Sequence, residues 1–254
     1  LDCSVDDIAV RGVDTDQSPY DTGSYASATT YVTGGAVVKT CEELREKIRL
    51  EGARLLGIDP EAAQFDGEKV FLPGTDKVMT RAEIGWASYE GHSKQLAASQ
   101  SNSSPISPPP FMVGMAEVDI DPDTGAVRVV DYVGVVDCGT VINTNLARVQ
   151  TEGGIVQGIG MALLENIQYN PQGRMLNDSL LQYRIPTRLE AGKIRVEFVP
   201  SYEPTGPFGA KSIGELVINT PSPAIAEAIR AATGHMFRTL PIRPEDVALA
   251  GLEE

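Results

Sequence analysis

The sequence is poor in the residues that build most metal centres and disulfide frameworks. Its 254 residues include only three cysteines and two histidines. His92 and His235 share no motif, so we disfavour a His-rich metal site and a Ser-His-Asp triad. The cysteines form no CxxC pair and no iron–sulfur spacing, and we therefore expect three free, buried thiols.

Positive charge and long apolar runs are also scarce. The chain has 21 Lys and Arg against 35 Asp and Glu, a formal net charge of −14. Proteins that bind a phosphate backbone normally carry a basic face, so we expect no nucleic-acid partner. No run of 18 apolar residues and no signal peptide is visible in the sequence. These absences predict a soluble, cytoplasmic protein without a membrane segment.

What the chain does contain is enough apolar material for a sizeable core. Its hydrophobic content is 42%, which suffices for one large domain or two small ones. Residues 99–110 are rich in Ser, Asn and Pro, a composition typical of a linker. We predict an N-terminal domain over 1–104 and a C-terminal domain over 105–254. The expected fold class is α+β, with two mixed halves in which helices flank sheets.

Local patterns predict the elements of the first half. Residues 5–13 alternate in polarity and predict a short strand. Residues 36–48 keep one apolar face and predict a helix. Asp66-Gly67 is a hairpin signal between two short apolar runs, and Thr80 is a candidate N-cap for a short helix.

The second half predicts a hairpin, two helices and further strands. The expected hairpin joins 111–120 to 126–136, and a strand is expected at 193–199. One helix should run from about 143 to 165. A second should start at Ser222 and Pro223 and stop at Gly234. A short strand and a helical turn are expected within 241–254.

Glycines and glutamines share one face of the first of these helices. Gln150, Gly153, Gly154 and Gln157 lie at i, i+3, i+4 and i+7. Glycine costs roughly 1 kcal/mol relative to Ala inside a helix, so this cluster needs a reason. Two explanations stay open. The carboxamides read a polar heterocycle, or the helix packs tightly on a sheet and the glutamines are incidental.

A loop of hydroxylated residues precedes the first helix. Residues 14–31 are rich in Asp, Ser, Thr, Gly and Tyr. Backbone N–H groups and hydroxyls at a helix start form a ready phosphate cradle. An ordinary surface loop is the alternative.

One carboxylate stands out near the end of the chain. Glu215 lies with Lys211 among glycines and apolar neighbours, ahead of a helix start. Burial in such surroundings favours the protonated form of a carboxylate and produces a general base. The alternative, which spacing alone favours, is a partly exposed Glu215 paired with Lys211.

Four separated segments stand out when they are taken together in order. They read Val-Asp-Cys-Gly-Thr-Val-Ile-Asn at 136–143, Gln-Thr-Glu-Gly-Gly-Ile-Val-Gln-Gly at 150–158, Leu-Gln-Tyr-Arg-Ile-Pro at 181–186 and Gly-Ala-Lys-Ser-Ile-Gly-Glu at 209–215. This set resembles the molybdenum-binding subunit of the xanthine dehydrogenase (molybdenum hydroxylase) family. Residues 18–27 fit the same family. The likeness covers essentially the whole chain and corresponds to the C-terminal, second cofactor-binding domain of that subunit. The absence of an initial Met leads us to expect a fragment or a split subunit.

The resemblance implies roles for individual residues. The family's catalytic glutamate falls on Glu215, and the glutamine that hydrogen-bonds near the metal falls on Gln157. The loop that contacts the pyranopterin and its phosphate falls on Tyr25, Ala26, Ser27 and Thr29. In this family the metal is held by the pterin dithiolene and by no protein side chain.

Two further residues are candidates on weaker grounds. Gln150 shares the helix face of Gln157 and is a candidate cofactor contact. Phe208 is a candidate for the substrate pocket. The chain departs from the family at Leu216, where proline is common, and at Ala28, where a basic residue is usual.

The implied activity is hydroxylation of a carbon centre of an N-heterocycle, purine-like or nicotinate-like. In the implied mechanism Glu215 takes the proton of a Mo–OH group that attacks the substrate, and hydride passes to Mo=S. The implied cofactor is molybdopterin, for which a cytosine dinucleotide form is one option. Implied partners are an N-terminal molybdopterin-binding subunit or domain, an iron–sulfur subunit with [2Fe–2S] clusters and an FAD subunit. Alternatives are a non-catalytic cofactor-binding or assembly module, and the aldehyde or carbon monoxide branch of the family.

Overall fold

The computed structural model describes residues 1–12, 14–16, 18–92, 95–104 and 106–250, with only the backbone of residue 92. The chain forms two compact units, which we treat separately. Unit 1 comprises Leu1–Gly23 and Val32–Pro105, and unit 2 comprises Ser24–Tyr31 and Ile106–Glu254. Each unit combines helices with a three-stranded sheet, which confirms the α+β class. The domain bounds 1–104 and 105–254 stay a prediction.

Unit 1 packs two helices on a small antiparallel sheet. Its elements are α1 (Gly34–Leu56), β1 (Gln64–Phe65), β2 (Lys69–Phe71), β3 (Val78–Thr80) and α2 (Arg81–His92). The strands pair in the order β1-β2-β3. The hairpin predicted at Asp66-Gly67 is confirmed, since Phe65 pairs with Val70 across it.

Apolar spacing and end signals explain the helices of unit 1. Ile48 and Ala53 of α1 are buried in the core of this unit. The helix ends at Gly57, whose φ of +61° is the left-handed conformation that glycine adopts readily. Thr80 caps α2 as predicted, because its hydroxyl accepts from the Glu83 N–H while the Glu83 carboxylate accepts from the Thr80 N–H.

The predicted strand at 5–13 is wrong in the part of it that the structure describes. Val5–Asp7 forms a single 3₁₀ turn, capped by the Ser4 hydroxyl, which accepts from the Asp6 N–H at 3.3 Å. Val5 and Val10 are 83% and 88% exposed. Alternating polarity predicts a strand only where a neighbouring strand is available for pairing.

Unit 2 is built on a larger mixed sheet. Its strands are β4 (Phe111–Ile120), β5 (Val127–Asp137) and β6 (Lys193–Phe198). β4 and β5 form the predicted antiparallel hairpin, with a register shift at Glu117/Val118. β6 lies parallel to β5, so β5 is the central strand.

Three helices cover this sheet. They are α3 (Thr144–Leu163), α4 (Pro221–Thr233) and α5 (Pro244–Ala250). Ile155 and Ile159 of α3 pack with Ile225 and Ile229 of α4 in one core, and all four are fully buried. None of the helices within the described residues is long and apolar enough to cross a membrane.

Close packing accounts for two glycines of α3. A Cβ at Gly154 would collide with Val217, and a Cβ at Gly158 would lie 2.6 Å from the Pro221 ring. Gly153, by contrast, faces open space. The segment that leads into α4 therefore crosses α3 at the positions where side chains are missing.

Three further expectations need correction. α4 begins at Pro221, two residues before Pro223, the predicted first helical residue, because the buried Pro221 already fits the first helical turn. Residues 241–250 contain α5 and no strand, and 251–254 lie outside the described residues. Only Cys138 is buried, since Cys3 and Cys41 are partly exposed.

Candidate functional site

A cavity of about 620 Å³ lies in unit 2. Three segments supply its walls: the hydroxyl-rich loop 24–30, the turn and first helical residues at 138–150, and the loop 211–215. Residues that are far apart in the sequence therefore line the same cavity. A concave site with a few convergent polar groups is the usual setting for a small ligand.

Backbone pairing between two loops brings two of these walls together. Gly139 and Ala210 form an isolated antiparallel bridge. The Lys211 N–H donates to the Cys138 carbonyl at 2.8 Å, and the Thr140 N–H donates to the Gly209 carbonyl at 2.8 Å. Gly139 has a φ of +71° and its Cβ would collide with the Gly209 carbonyl, so this approach requires glycine.

Ser27 holds Glu215 through two hydrogen bonds. The Ser27 hydroxyl donates to the Glu215 Oε2 at 3.1 Å and accepts from the Glu215 N–H at 2.8 Å. Gly214 permits this contact, since its Cβ would lie 2.7 Å from the Ser27 Oγ. A residue of the predicted cofactor loop therefore fixes the predicted catalytic carboxylate, which is itself exposed in this chain.

Gln150 fixes the same loop from the other side. Its Nε2 donates to the Gly214 carbonyl at 2.8 Å, while its side chain is exposed along the cavity wall. Asn143 caps α3 by accepting from the Leu146 N–H at 3.0 Å. The helix start and the Glu215 loop are thereby held against each other.

A polar chain anchors the end of the hydroxyl-rich loop. The buried Tyr31 hydroxyl lies 2.5 Å from the Thr205 Oγ1, and the Thr205 hydroxyl donates to the Glu203 carboxylate. The hydrogen bonds from the Thr205 hydroxyl and N–H hold the pKa of Glu203 below its ordinary value. This chain ties 24–31 to the segment that precedes the Glu215 loop.

Lys211 pairs with Asp137 and not with Glu215. Its Nζ lies 2.9 Å from the Asp137 Oδ2 and 5.6 Å from the centre of the Phe111 ring. The other carboxylate oxygen accepts from the Ser201 hydroxyl at 2.5 Å and from the Gly139 N–H at 3.0 Å. Burial raises the pKa of Asp137, but the bonds from Ser201, Gly139 and Lys211 outweigh it and leave that pKa below its ordinary value.

Cys138 is the third titratable group in the cavity wall, beside Glu215 and Lys211. Burial and the neighbouring Asp137 carboxylate both raise the pKa of its thiol. The thiol is therefore protonated at neutral pH, and it is a poor nucleophile.

The structure places the candidates from the sequence in two groups. Ser27, Thr29, Gln150 and Glu215 line the cavity. The remaining candidates, all exposed, lie outside its lining: Tyr25, Ala26, Gln157 and Phe208. Their roles stay predictions.

Strained backbone is found in the segments that carry these candidate residues. Ala26, Ser27 and Phe208 have φ values of +50°, +60° and +53°. Such conformations are uncommon for residues other than glycine and cluster at ligand sites. Among the described residues other than glycine, the only other positive φ is that of Asp2, in unit 1.

Sequence reasoning missed several polar wall residues. They are Ser24, Thr30, Thr140 and Asn143. Their signal was present in part, since Thr140 and Asn143 follow a glycine turn between a central strand and a helix, where ligands commonly bind. Their convergence depends on contacts distant in sequence.

The donor set of the cavity fits a molybdopterin. Five hydroxyls and two carboxamides line it: Ser24, Ser27, Thr29, Thr30, Thr140, Asn143 and Gln150. Hydroxyls and backbone N–H groups bind phosphate oxygens, and carboxamides match the alternating donors and acceptors of a pterin ring. Within the described residues, no group of three or more His, Cys, Asp or Glu side chains is arranged to hold a metal ion.

Comparison with known proteins agrees with this chemistry. The molybdopterin cofactor-binding domain family matches residues 1–191. "Probable hypoxanthine oxidase XdhD" of Escherichia coli K12 is 34% identical over 98% of this chain and 26% of its own length. The carbon monoxide dehydrogenase large chain of Afipia carboxidovorans is 29% identical over 85% of this chain and 27% of its own length.

Solved structures show the same fold. Quinoline 2-oxidoreductase from Pseudomonas putida 86 superposes with a TM-score of 0.83 and 29% identity, over 94% of this chain and 32% of that one. The chain thus spans between a quarter and a third of the length of these relatives. The match over most of its length shows that the chain belongs to the molybdopterin cofactor-binding domain family.

Proposed function

We propose that this chain forms the part of a molybdenum hydroxylase that holds the cofactor and presents Glu215 as general base. The observation that carries the proposal is the pair of hydrogen bonds between Ser27 and Glu215, at 3.1 and 2.8 Å. They join a loop suited to an anionic cofactor to a carboxylate in the wall of the same cavity. A bound molybdopterin would supply the redox chemistry, namely the transferred oxygen and the uptake of electrons.

The residues of this chain would hold the cofactor and move a proton. Ser24, Thr29 and Thr30 offer hydroxyls to its phosphate, and Gln150 holds the Gly214 carbonyl so that the loop stays in place. Glu215 would take a proton at Oε1, the oxygen that Ser27 leaves free for the reacting group. A positioned general base contributes typically about 10²–10⁴-fold to a rate.

Additional protein is needed to exclude water from this base. Glu215 is exposed in the chain by itself, whereas a general base works best in a site closed to solvent. We therefore propose that the cofactor and an N-terminal molybdopterin-binding domain or subunit cover it. Transfer of electrons would require an iron–sulfur subunit and an FAD subunit. A cytoplasmic location stays a prediction.

An N-heterocycle is the substrate class we favour. The heterocycles hypoxanthine and quinoline appear in the names of two of the similar proteins. A carbon monoxide dehydrogenase is also similar, so oxidation of carbon monoxide or an aldehyde is the second candidate. Turnover of purines, nicotinate, quinoline, aldehydes and carbon monoxide by the purified complex distinguishes these branches.

The substitution Glu215→Gln in the assembled complex tests the proposal. We expect kcat to fall at least about 100-fold, because the amide cannot take the proton, while molybdenum and pterin contents stay unchanged. Glu197→Gln, at an exposed position on β6, is the matched control and should keep full turnover. Near-normal turnover of Glu215→Gln would exclude the base assignment. Absence of cofactor from the wild-type complex would favour a non-catalytic assembly module.

A further inference from the structure

Lys211 is the cation in the cavity wall that the proposed function leaves without a role. It lies four residues before Glu215, and both side chains line the same cavity. Four residues of extended chain span at most about 14 Å, and a lysine side chain is long and flexible. Glu215 is the carboxylate that lines the cavity together with Lys211, so it is the partner offered to the Lys211 ammonium when Asp137 is removed.

The structure shows what keeps the two apart. The Lys211 side chain is only 11% exposed and lies 2.9 Å from the Asp137 carboxylate, at the end of the central strand β5. Asp137 is in turn fixed by Ser201 and by the Gly139 N–H, in the turn that pairs with the Glu215 loop. Glu215 is bound instead by a neutral hydroxyl, that of Ser27.

We propose that Asp137 is a positioning residue that sequesters Lys211 and so keeps Glu215 free of an ion pair. An ion-paired carboxylate is a weaker base and is turned away from its substrate. The inference rests on the proposed function in one respect only, that Glu215 acts as the base. The sequestration itself is a statement about which carboxylate Lys211 contacts.

A purely structural role of the ion pair predicts a different pattern. Lys211→Met leaves the Asp137 carboxylate, 24% exposed, without its cation, and Asp137→Asn leaves the Lys211 ammonium, 11% exposed, without its anion. Asp137→Asn keeps an oxygen that accepts from Ser201 and Gly139. If the pair only stabilised the fold, both variants would unfold at a lower temperature, but the folded, cofactor-loaded Asp137→Asn would keep its kcat.

The test is a double-mutant cycle on the assembled complex, with molybdenum and pterin content measured for each variant. We expect Asp137→Asn to lower kcat at least about tenfold, because Lys211 then pairs with Glu215. Lys211→Met should lower kcat no more than about threefold. The double variant Asp137→Asn/Lys211→Met should be at least about fivefold more active than Asp137→Asn. A double variant no more active than Asp137→Asn would overturn the proposal.

A second measurement needs no turnover. A water-soluble carbodiimide joins an ammonium to a carboxylate that it contacts, and peptide mass spectrometry identifies the linked residues. In Asp137→Asn we expect a new link between Lys211 and Glu215, which Lys211→Met in the same background abolishes. Absence of that link in folded Asp137→Asn contradicts the proposal. A link together with full activity of Glu215→Gln would instead exclude the base role and leave the sequestration standing.

Discussion

At the scale of single residues, Ser27 has the most specific role. Its hydroxyl contacts Glu215 twice, although the two residues are 188 positions apart in sequence. Its own φ of +60° shows that the backbone is held in an unfavourable conformation at this contact. The surrounding fold therefore compensates for that strain, as is common at ligand sites.

Removal of this hydroxyl should affect the reaction more than the fold. Ser27→Ala takes away one hydrogen-bond donor and one acceptor, each worth about 1 kcal/mol. We expect kcat of the assembled complex to fall about tenfold, with a small change in the thermal unfolding temperature. Ser179→Ala, at an exposed position outside the cavity lining, is the control. Equal losses of kcat in the two variants would contradict a specific contact between Ser27 and Glu215.

Individual residues also show where sequence reasoning reached its limit. The special character of Glu215 was visible from its neighbours, but its partner was not. Spacing favoured Lys211, four positions away, whereas the structure pairs Lys211 with Asp137, 74 positions away. That choice depends on the bridge between Gly139 and Ala210, and no local pattern encodes such a contact.

At the scale of elements, two adjacent glycines of α3 have different surroundings. Gly154 meets Val217 closely, while Gly153 faces open space. The sequence shows that the glycine cluster needs an explanation, but it leaves tight packing and ligand contact both open. Packing explains Gly154 and Gly158, and it does not explain Gly153.

The two adjacent glycines make a matched pair for measurement on this chain. Gly153→Ala should raise the free energy of unfolding by about 0.5–1 kcal/mol, because Ala is the better helix former. Gly154→Ala should lower it by about 1–3 kcal/mol, because the added methyl overpacks against the buried Val217. Urea denaturation followed by circular dichroism gives both values. A destabilised Gly153→Ala would show that this face is already covered.

Elements with strong local sequence signals were predictable, and elements that depend on contacts with distant parts of the chain were not. The β4–β5 hairpin and helix α3 match the predictions closely, since alternation and helical periodicity are continuous there. The strand expected at 5–13 failed because nothing pairs with it in the described residues. For α4, the start predicted at Ser222 and Pro223 was late, because the buried Pro221 already takes the first helical position.

At the scale of the whole molecule, carboxylates dominate the response to pH. In the part of the chain that the structure describes, eight of them have a lowered pKa: Glu43, Glu46, Asp66, Glu83, Asp121, Asp137, Glu190 and Glu203. In all but Asp137 the largest cause is a hydrogen bond from a neighbouring side chain or backbone N–H. Folding therefore favours their charged forms.

The stability of the chain should fall in acid for this reason. A carboxylate whose pKa is lower in the folded state contributes stability above its unfolded value, ordinarily about 4. This contribution is lost as the pH falls through the folded value, because the unfolded chain binds more protons. We expect the free energy of unfolding to be nearly constant from pH 7 to about 5 and to drop below about 4. Denaturant titrations at these pH values test this, and a stability that rises from pH 5 to 3 would contradict it.

The path of the chain through its two units affects what recombination between related genes can exchange. Residues 24–31 belong to unit 2, although the segments before and after them belong to unit 1. The hydroxyl-rich wall of the cavity is therefore encoded inside the gene segment for the other unit. A single crossover between the codons for residues 31 and 106 therefore separates Glu215 from its own Ser27 loop and joins it to the loop of the other parent. We expect such a hybrid to keep the contact only where that loop offers an equivalent hydroxyl.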